Sequence, residues 1–182
     1  MRWESTPPTF SSTVSTGLVL ASVTLNLASL GVVGSSGPGD PRTTTPGVVK
    51  LQWDSANAPS DVSFSMAPTG SYSLVTVQLD GMLTSSSFSF RGTYNGISYS
   101  ISDRNPLTIS IDINRTLQPG GLDAIGLMAK FDVALAAIDW ATAPIDDQGA
   151  PDQSYEISGS SAQMPAFRNA LMSALQIDST IQ

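Results

Sequence analysis

The chain reads as an α+β fold, a mainly antiparallel β-sheet of six to eight strands followed by a C-terminal helix or helices. Three observations predict it. Successive short segments alternate apolar and polar residues with a period of two, the signature of strands with one buried face. Between two of them stands Asn95-Gly96, a pair suited to the positive φ angles of a type I′ hairpin turn. The late segment "MPAFRNALMSALQID" instead repeats its apolar residues at helical spacing. Strands that follow one another through short turns pair antiparallel.

The first element is "LVLASVTLNLASLGVV", residues 18–33. A signal peptide needs a basic leader and an unbroken apolar run, but Arg2 is offset by Glu4, and Ser22, Thr24, Asn26 and Ser29 interrupt the run. The same interruptions argue against a membrane helix, which takes about twenty near-continuous apolar residues. Val23, Leu25 and Leu27 alternate with polar neighbours, so the stretch reads as a strand. Leu18 and Leu20 fall in the opposite phase, which places a bulge near Ala21.

Residues 34–47, rich in Gly, Pro, Ser and Thr, read as a loop. Val49, Leu51 and Trp53 define the next strand, and Val62, Phe64 and Met66 another, ended by Pro68. In "YSLVTVQL", Tyr72 and Leu74 share one phase and Val75, Val77 and Leu79 the other. Phe88 and Phe90 precede the Asn-Gly turn, and Ile97, Tyr99 and Ile101 follow it. The cleanest strand is 107–114, with Leu107, Ile109, Ile111 and Ile113 inward. The next stretch is double-valued. A helix aligns Ile125, Met128, Phe131, Leu135 and Ile138, whereas a strand aligns Phe131, Val133 and Leu135 and changes phase before Ile138 and Trp140. The pattern alone leans to the helix. Residues 145–163 read as a polar, acidic loop, and Pro165 suits the first turn of the closing helix, whose stripe is Phe167, Leu171, Met172 and Leu175. No repeat or second-domain boundary is visible, so 1–182 is expected to form one domain.

Composition narrows the function. With 41% apolar and 13% charged residues, the chain carries about half the usual charge, near 25% in globular domains. It has no Cys and no His, which removes disulfides, thiol nucleophiles, Cys/His zinc sites and imidazole acid–base chemistry. At a net charge of −7, with Lys50 and Lys130 as its lysines, the chain cannot hold nucleic acid by bulk attraction.

The remaining residues offer few sites. Asp146, Asp147, Asp152 and Glu156 cluster in sequence but lack the spacing of a calcium loop, so a solvated acidic loop is the ordinary reading. Asp103 and Asp112 would need to face one another to serve as a glycosidase pair, and exposed turn and strand carboxylates are the default. Asn114-Arg115-Thr116 matches the short N-glycosylation pattern. Arg91, Arg104 and Arg115 lie on or beside the strands from 87 to 115, and with Lys130 they suggest a small basic patch in an acidic protein. Tyr94 and Tyr99 stand near it, suited to base stacking or to cross-strand packing. No catalytic residue, metal site or cofactor is expected, and an enzyme is the least favoured class.

The order "NGISYSIS", "DRN", "PLTISIDIN", a Pro/Gly loop, "AKFDVALAAIDW" and "AFRNALMSALQIDSTIQ" resembles the C-terminal half of single-stranded RNA bacteriophage (levivirus-like) coat proteins. The likeness covers about residues 95–182, with 1–94 as additional N-terminal strands and loops. It implies a homodimer whose strands form one continuous sheet, helices packing across that dimer, and assembly into an icosahedral shell enclosing an RNA genome. It also implies a strand over 127–140, the reading adopted here. Arg91, Arg104 and Arg115 become the RNA-facing candidates by their place on the sheet. The expectation is therefore a self-assembling capsid subunit of the virion, made in the host cytoplasm. Its partners are itself and genomic RNA, with no membrane and no small-molecule substrate. A tail-tube or spike subunit is a near relative of this reading. The alternative is a secreted adhesin or carbohydrate-binding β-domain that uses Trp3, Trp53, Trp140 or tyrosines as a stacking platform.

Overall fold

In a computed structural model, residues 2–6, 13–15, 17–34, 41–53, 62–63, 67–81, 85–121, 124–146, 149 and 151–178 are described. The long apolar stretch forms one strand, β3 (Leu18–Gly34), preceded by β1 (Arg2–Thr6) and β2 (Thr13–Ser15). Then come β4 (Pro41–Trp53), β5 (Val62–Ser63), β6 (Gly70–Leu79), β7 (Phe88–Tyr94), β8 (Ile97–Asp103) and β9 (Leu107–Leu117). The last third holds β10 (Ala124–Ala129), α1 (Phe131–Leu135), β11 (Ile145–Asp146), β12 (Ser154–Ile157), α2 (Met164–Ala174) and β13 (Leu175–Asp178). The fold is α+β and mainly antiparallel, as the alternation predicts.

The main sheet runs β11-β12-β8-β7-β3-β6-β9, with β2 and β4 also paired to β3. Its plan is simpler than that order suggests. Leu18–Leu25 of β3 pair with β7, and Leu27–Gly34 pair with β6 along the same edge, while β4 takes the opposite edge. On their far side, β7 pairs with β8 and β6 with β9. The strands of 70–117 thus follow the plan of one long hairpin laid against β3, each arm broken at the same level, after Leu79 on one arm and at 104–106 on the other. The tip is the Asn-Gly turn, with φ of 51° at Asn95 and 82° at Gly96. The Asn95 N–H donates to the Gly17 carbonyl at 2.7 Å and ties the tip to the start of β3.

The phase change in β3 is a real irregularity, since its pairing with β7 shifts register between Leu20 and Ser22. Leu18, Leu20, Val23, Leu25 and Leu27 are therefore all buried on one side. The phase change between Tyr72 and Leu74 in β6 falls where its pairing with β9 shifts register, the additional residue lying on β9 between Asp112 and Arg115. On β9, Leu107 and Ile109 are buried, and Ile111 and Ile113 are partly so.

The inner face is closed by the last third of the chain. Phe90 meets Phe131 of α1 at 5.2 Å and Phe167 of α2 at 5.1 Å, both edge-on, and Phe88 lies 5.7 Å from Phe167. Edge-to-face contacts of this kind add about 0.5–1.5 kcal/mol each beyond burial. α2 buries Met164, Phe167, Leu171 and Ala174, one stripe at helical spacing. The resemblance placed this layer across a partner; in the chain described here it lies on its own sheet.

Four segment expectations are corrected. The strand expected over 127–140 ends at Ala129; α1 follows and then turns, so Phe131 and Leu135 share a helical face while Val133, which the strand alignment set with them, is exposed. The loop expected over 34–47 is strand from Pro41 onward. Prolines are tolerated there because β4 pairs only with β3 among the described residues, and the pairing shifts register beside Pro41. Residues 145–163 contain β11 and β12, since Tyr155 and Ile157 alternate inward and β12 adds parallel to β8. The closing helix stops at Ala174, and Leu175–Asp178 extend as β13 against β10. β10 also pairs in parallel with β1, making a second, four-stranded sheet β13-β10-β1-β5. Phe64, Met66 and Asp147 lie outside the described residues, as do the side chains of Val49, Leu51, Trp3 and Trp53.

Candidate functional site

Two places on the sheet carry polar chemistry: its outer face and the level where the hairpin arms break. The outer face follows from strand alternation. When apolar residues point to the helices, their neighbours point away. On β7 these are Ser89, Arg91 and Thr93, on β8 Ser98, Ser100 and Ser102, and on β9 Thr108, Ser110, Asp112, Asn114 and Thr116. The surface is broad and lined with hydroxyls.

The three candidate arginines do not converge on it. Arg91 is exposed and stands in register between Ser22 of β3 and Ser100 of β8. Ser100 in turn pairs with the exposed Glu156 of β12. Strands lie about 4.8 Å apart, so a carboxylate stands two strand spacings from the Arg91 position. Arg104 is exposed in the turn after β8, where its carbonyl accepts the Ser87 hydroxyl at 3.0 Å. Arg115 shares the phase of Leu107, Ile109 and Leu117 and is half-buried opposite Tyr72, toward the inner side. Lys130 is exposed just before α1. Among the described side chains the outer face is thus nearly neutral, with Arg91 set among hydroxyls and no gathering of the three arginines.

The second place is a crease across three strands. Asn26 of β3 stands where β7 hands over to β6. Its N–H donates to the Ser87 carbonyl at 3.0 Å, its carbonyl accepts the Asp80 N–H at 2.9 Å, and its Nδ2 donates to the Ser86 carbonyl at 2.5 Å. Ser87, fully buried, donates its N–H to the Asp103 carbonyl at 2.7 Å, and its Oγ accepts the Gly81 N–H at 3.3 Å. Asp103 is 2% exposed. Its Oδ1 accepts the Asn105 N–H and Nδ2, each at 3.0 Å, and its Oδ2 accepts Arg168 Nη1 at 2.5 Å. Arg168 also donates to the Asn105 carbonyl at 3.2 Å and the Pro106 carbonyl at 2.5 Å. The buried carboxylate is therefore paired and fully hydrogen-bonded, the condition under which burial of charge is tolerated.

Sequence reasoning missed this pair. Its signal was present: Arg168 is the only charged residue in α2, and it sits inside the apolar stripe beside Phe167. The glycosidase arrangement is not formed, because Asp103 is buried on the inner side and Asp112 is exposed on the outer face. Among the described residues no three His, Cys, Asp or Glu side chains gather as a metal site. Asn114 and Thr116 of the glycosylation pattern are both exposed.

The tyrosines pack with each other and with Trp140. Tyr94 stacks on Trp140 at 4.8 Å and 16°, Tyr99 lies 5.1 Å from Trp140, and Tyr155 meets its ring edge-on at 5.4 Å. They form an interior box on the inner face of the hairpin tip. Burial pushes the Tyr99 hydroxyl above the usual tyrosine range. No described helix is long and apolar enough to cross a membrane. Comparison with family models, with curated proteins and with solved structures finds no match.

Proposed function

We propose that the chain is a structural subunit of a virion coat, one that associates with copies of itself and closes a shell around an RNA genome. The observation that carries this reading is the contrast between the two sides of the main sheet. One side is sealed by α1 and α2, and the other, over β7, β8 and β9, is a hydroxyl-lined face with few charges among the described residues. Ordinary soluble surfaces carry about 25–35% charged residues, which keeps them apart. A wide, nearly neutral sheet face suits extended contact instead.

RNA contact belongs to the same proposal in a restricted form. Arg91 and Arg104 are exposed toward or beside the outer face and can donate to phosphates. Glu156 and Asp112 on that face oppose non-specific attraction, so RNA capture is local. The carbohydrate-binding alternative has less support, because the Trp140 ring is stacked on Tyr94 and is not presented as an open platform.

Size-exclusion chromatography with negative-stain microscopy of the untagged chain tests the reading. Closed particles of uniform diameter are expected, and tubes would assign the chain to a tail instead. A monodisperse monomer or dimer that never assembles at high concentration refutes it. In assembled particles, the double variant R91A/R104A is expected to lower co-purifying RNA while leaving particle yield intact.

A further inference from the structure

α2 meets the sheet with two consecutive residues, and each finds a different partner. Phe167 lies on Phe88, and Arg168 lies on Asp103. Phe88 and Asp103 are themselves register partners across β7 and β8. They mark the last rung of the upper hairpin before both arms break. Below that rung the regular ladder gives way to a few bonds made by Asn26, Asp80 and Ser87. Among the described residues only β3 and its neighbour β4 run through the crease, and the pairing of β3 with β4 and with β6 shifts register at the same level, between Leu27 and Ser29. A cleft of about 340 Å³ opens beside the crease, lined by Asp103, Asn105, Gly159, Met164, Arg168 and Asn169 among others.

We propose that this crease is the hinge of the sheet, and that Arg168 is the positioning residue that latches α2 to it in one seating. The guanidinium holds three acceptors at once, Asp103 Oδ2 and the carbonyls of Asn105 and Pro106. These lie in the turn through which β8 becomes β9, so the latch grips the hinge itself. Above the hinge the Phe cluster keeps β7, β8 and the helices together. Below it β6, β9 and the second half of β3 form their own ladder. The halves share one core and the β3–β4 pair, so opening the latch loosens the angle between them without parting them. Gly159 shows how closely the pair is enclosed, since a Cβ there would stand 2.5 Å from Asp103 Oδ1. One consequence rests on the coat reading above: the latch holds subunits at one sheet curvature, and curvature fixes shell size.

Hydrogen exchange followed by mass spectrometry, on the full unassembled chain, tests the hinge. R168M removes the donors and keeps the apolar stem; R168K keeps the charge but cannot bridge three acceptors in a planar fork. In R168M the amides of 80–81, 103–105 and the non-proline residues of the first turn of α2 are expected to exchange at least about tenfold faster, with the tip amides 93–98 unchanged, as for a local opening. R168K is expected to fall between. Wild-type exchange at the crease in both variants overturns the proposal, and so does a uniform rise over the whole chain. If R168M does not fold, R168K decides alone by the same criterion. Shells of R168K are expected to vary in diameter. Uniform R168K shells with altered exchange overturn the curvature consequence, whereas failure of the wild type to form shells refutes the coat reading and leaves the exchange result standing.

Discussion

The Phe cluster and the crease are neighbours on the same two strands, yet they hold the molecule together by opposite means. In the cluster, Phe88, Phe90, Phe131 and Phe167 are almost wholly buried and meet through ring faces and edges. Such contacts are strong but tolerant of small shifts. At the crease, Asn26, Ser87, Asp103 and Arg168 meet through directed hydrogen bonds that accept only one geometry. The cluster is therefore expected to supply most of the free energy of docking α2, and the crease, on the proposal above, its position. Phe167→Ala is the sharpest way to break the first. Truncating a buried Phe costs about 3–5 kcal/mol, so urea denaturation should show that loss, with α1 and α2 losing protection together. A change under about 1 kcal/mol, far below the range for such truncations, would move the docking energy elsewhere.

Breaking the crease should cost less and act more locally. Asp103→Asn leaves the Arg168 guanidinium without its carboxylate. Breaking buried pairs costs about 3–5 kcal/mol, but Arg168 is 22% exposed and water recovers part of its solvation, so a loss of about 2 kcal/mol is expected in the same titration. A loss equal to that of Phe167→Ala would mean that the pair carries docking energy as well as position. At the tip, Gly96→Ala tests a third kind of restraint. Gly96 has φ of 82° and open space around its Cα, so alanine meets no clash and pays only for the left-handed backbone. That cost is about 1–2 kcal/mol. Thermal denaturation should register it without any change in protection at the crease.

The same contrast explains what was legible in the sequence. Alternation found the inner face of β3, β7, β8 and β9, because burial on one side writes a period of two into the residues. The phase slip at Leu18 and Leu20 announced its bulge, and Asn95-Gly96 announced its turn. The stretch from 124 to 140 was misleading, because its strand lies over 124–129 and its helix over 131–135, the reverse of where each period was read. Peripheral and short strands left weaker marks: β4 begins at Pro41 among residues that look like a loop, and β12 is only four residues long. The crease was not legible, because its partners are distant. Arg168 meets Asp103 across 65 residues, and Asn26 meets Ser86 across 60. Placing Arg91, Arg104 and Arg115 together failed for a related reason. Residues 107–117 keep one phase throughout, and that phase carries Arg115 inward with Ile109 and Leu117.

Tyr99 offers the smallest effect and the finest distinction between apolar and directed restraint. Its ring packs in the box with Trp140, yet its hydroxyl is buried and has no hydrogen-bond partner among the described residues. A buried hydroxyl without a partner costs free energy that the unfolded chain, hydrated, does not pay. Tyr99→Phe is therefore expected to be neutral or stabilising by up to about 1 kcal/mol, the reverse of an ordinary core substitution. The pH dependence follows from the same burial. The folded state holds the Tyr99 proton more tightly than the unfolded chain, whose tyrosine titrates near 10. Below about pH 10 both states are protonated and the contribution is fully present; above it the unfolded state loses its proton first, and stability falls as pH rises. Stability measured from pH 8 to 11 should decline more steeply in the wild type than in Tyr99→Phe. Parallel curves would show that the hydroxyl reaches water, and a Tyr99→Phe chain weakened by more than about 1 kcal/mol would show that it has a partner and that the box is held, like the crease, by a directed bond.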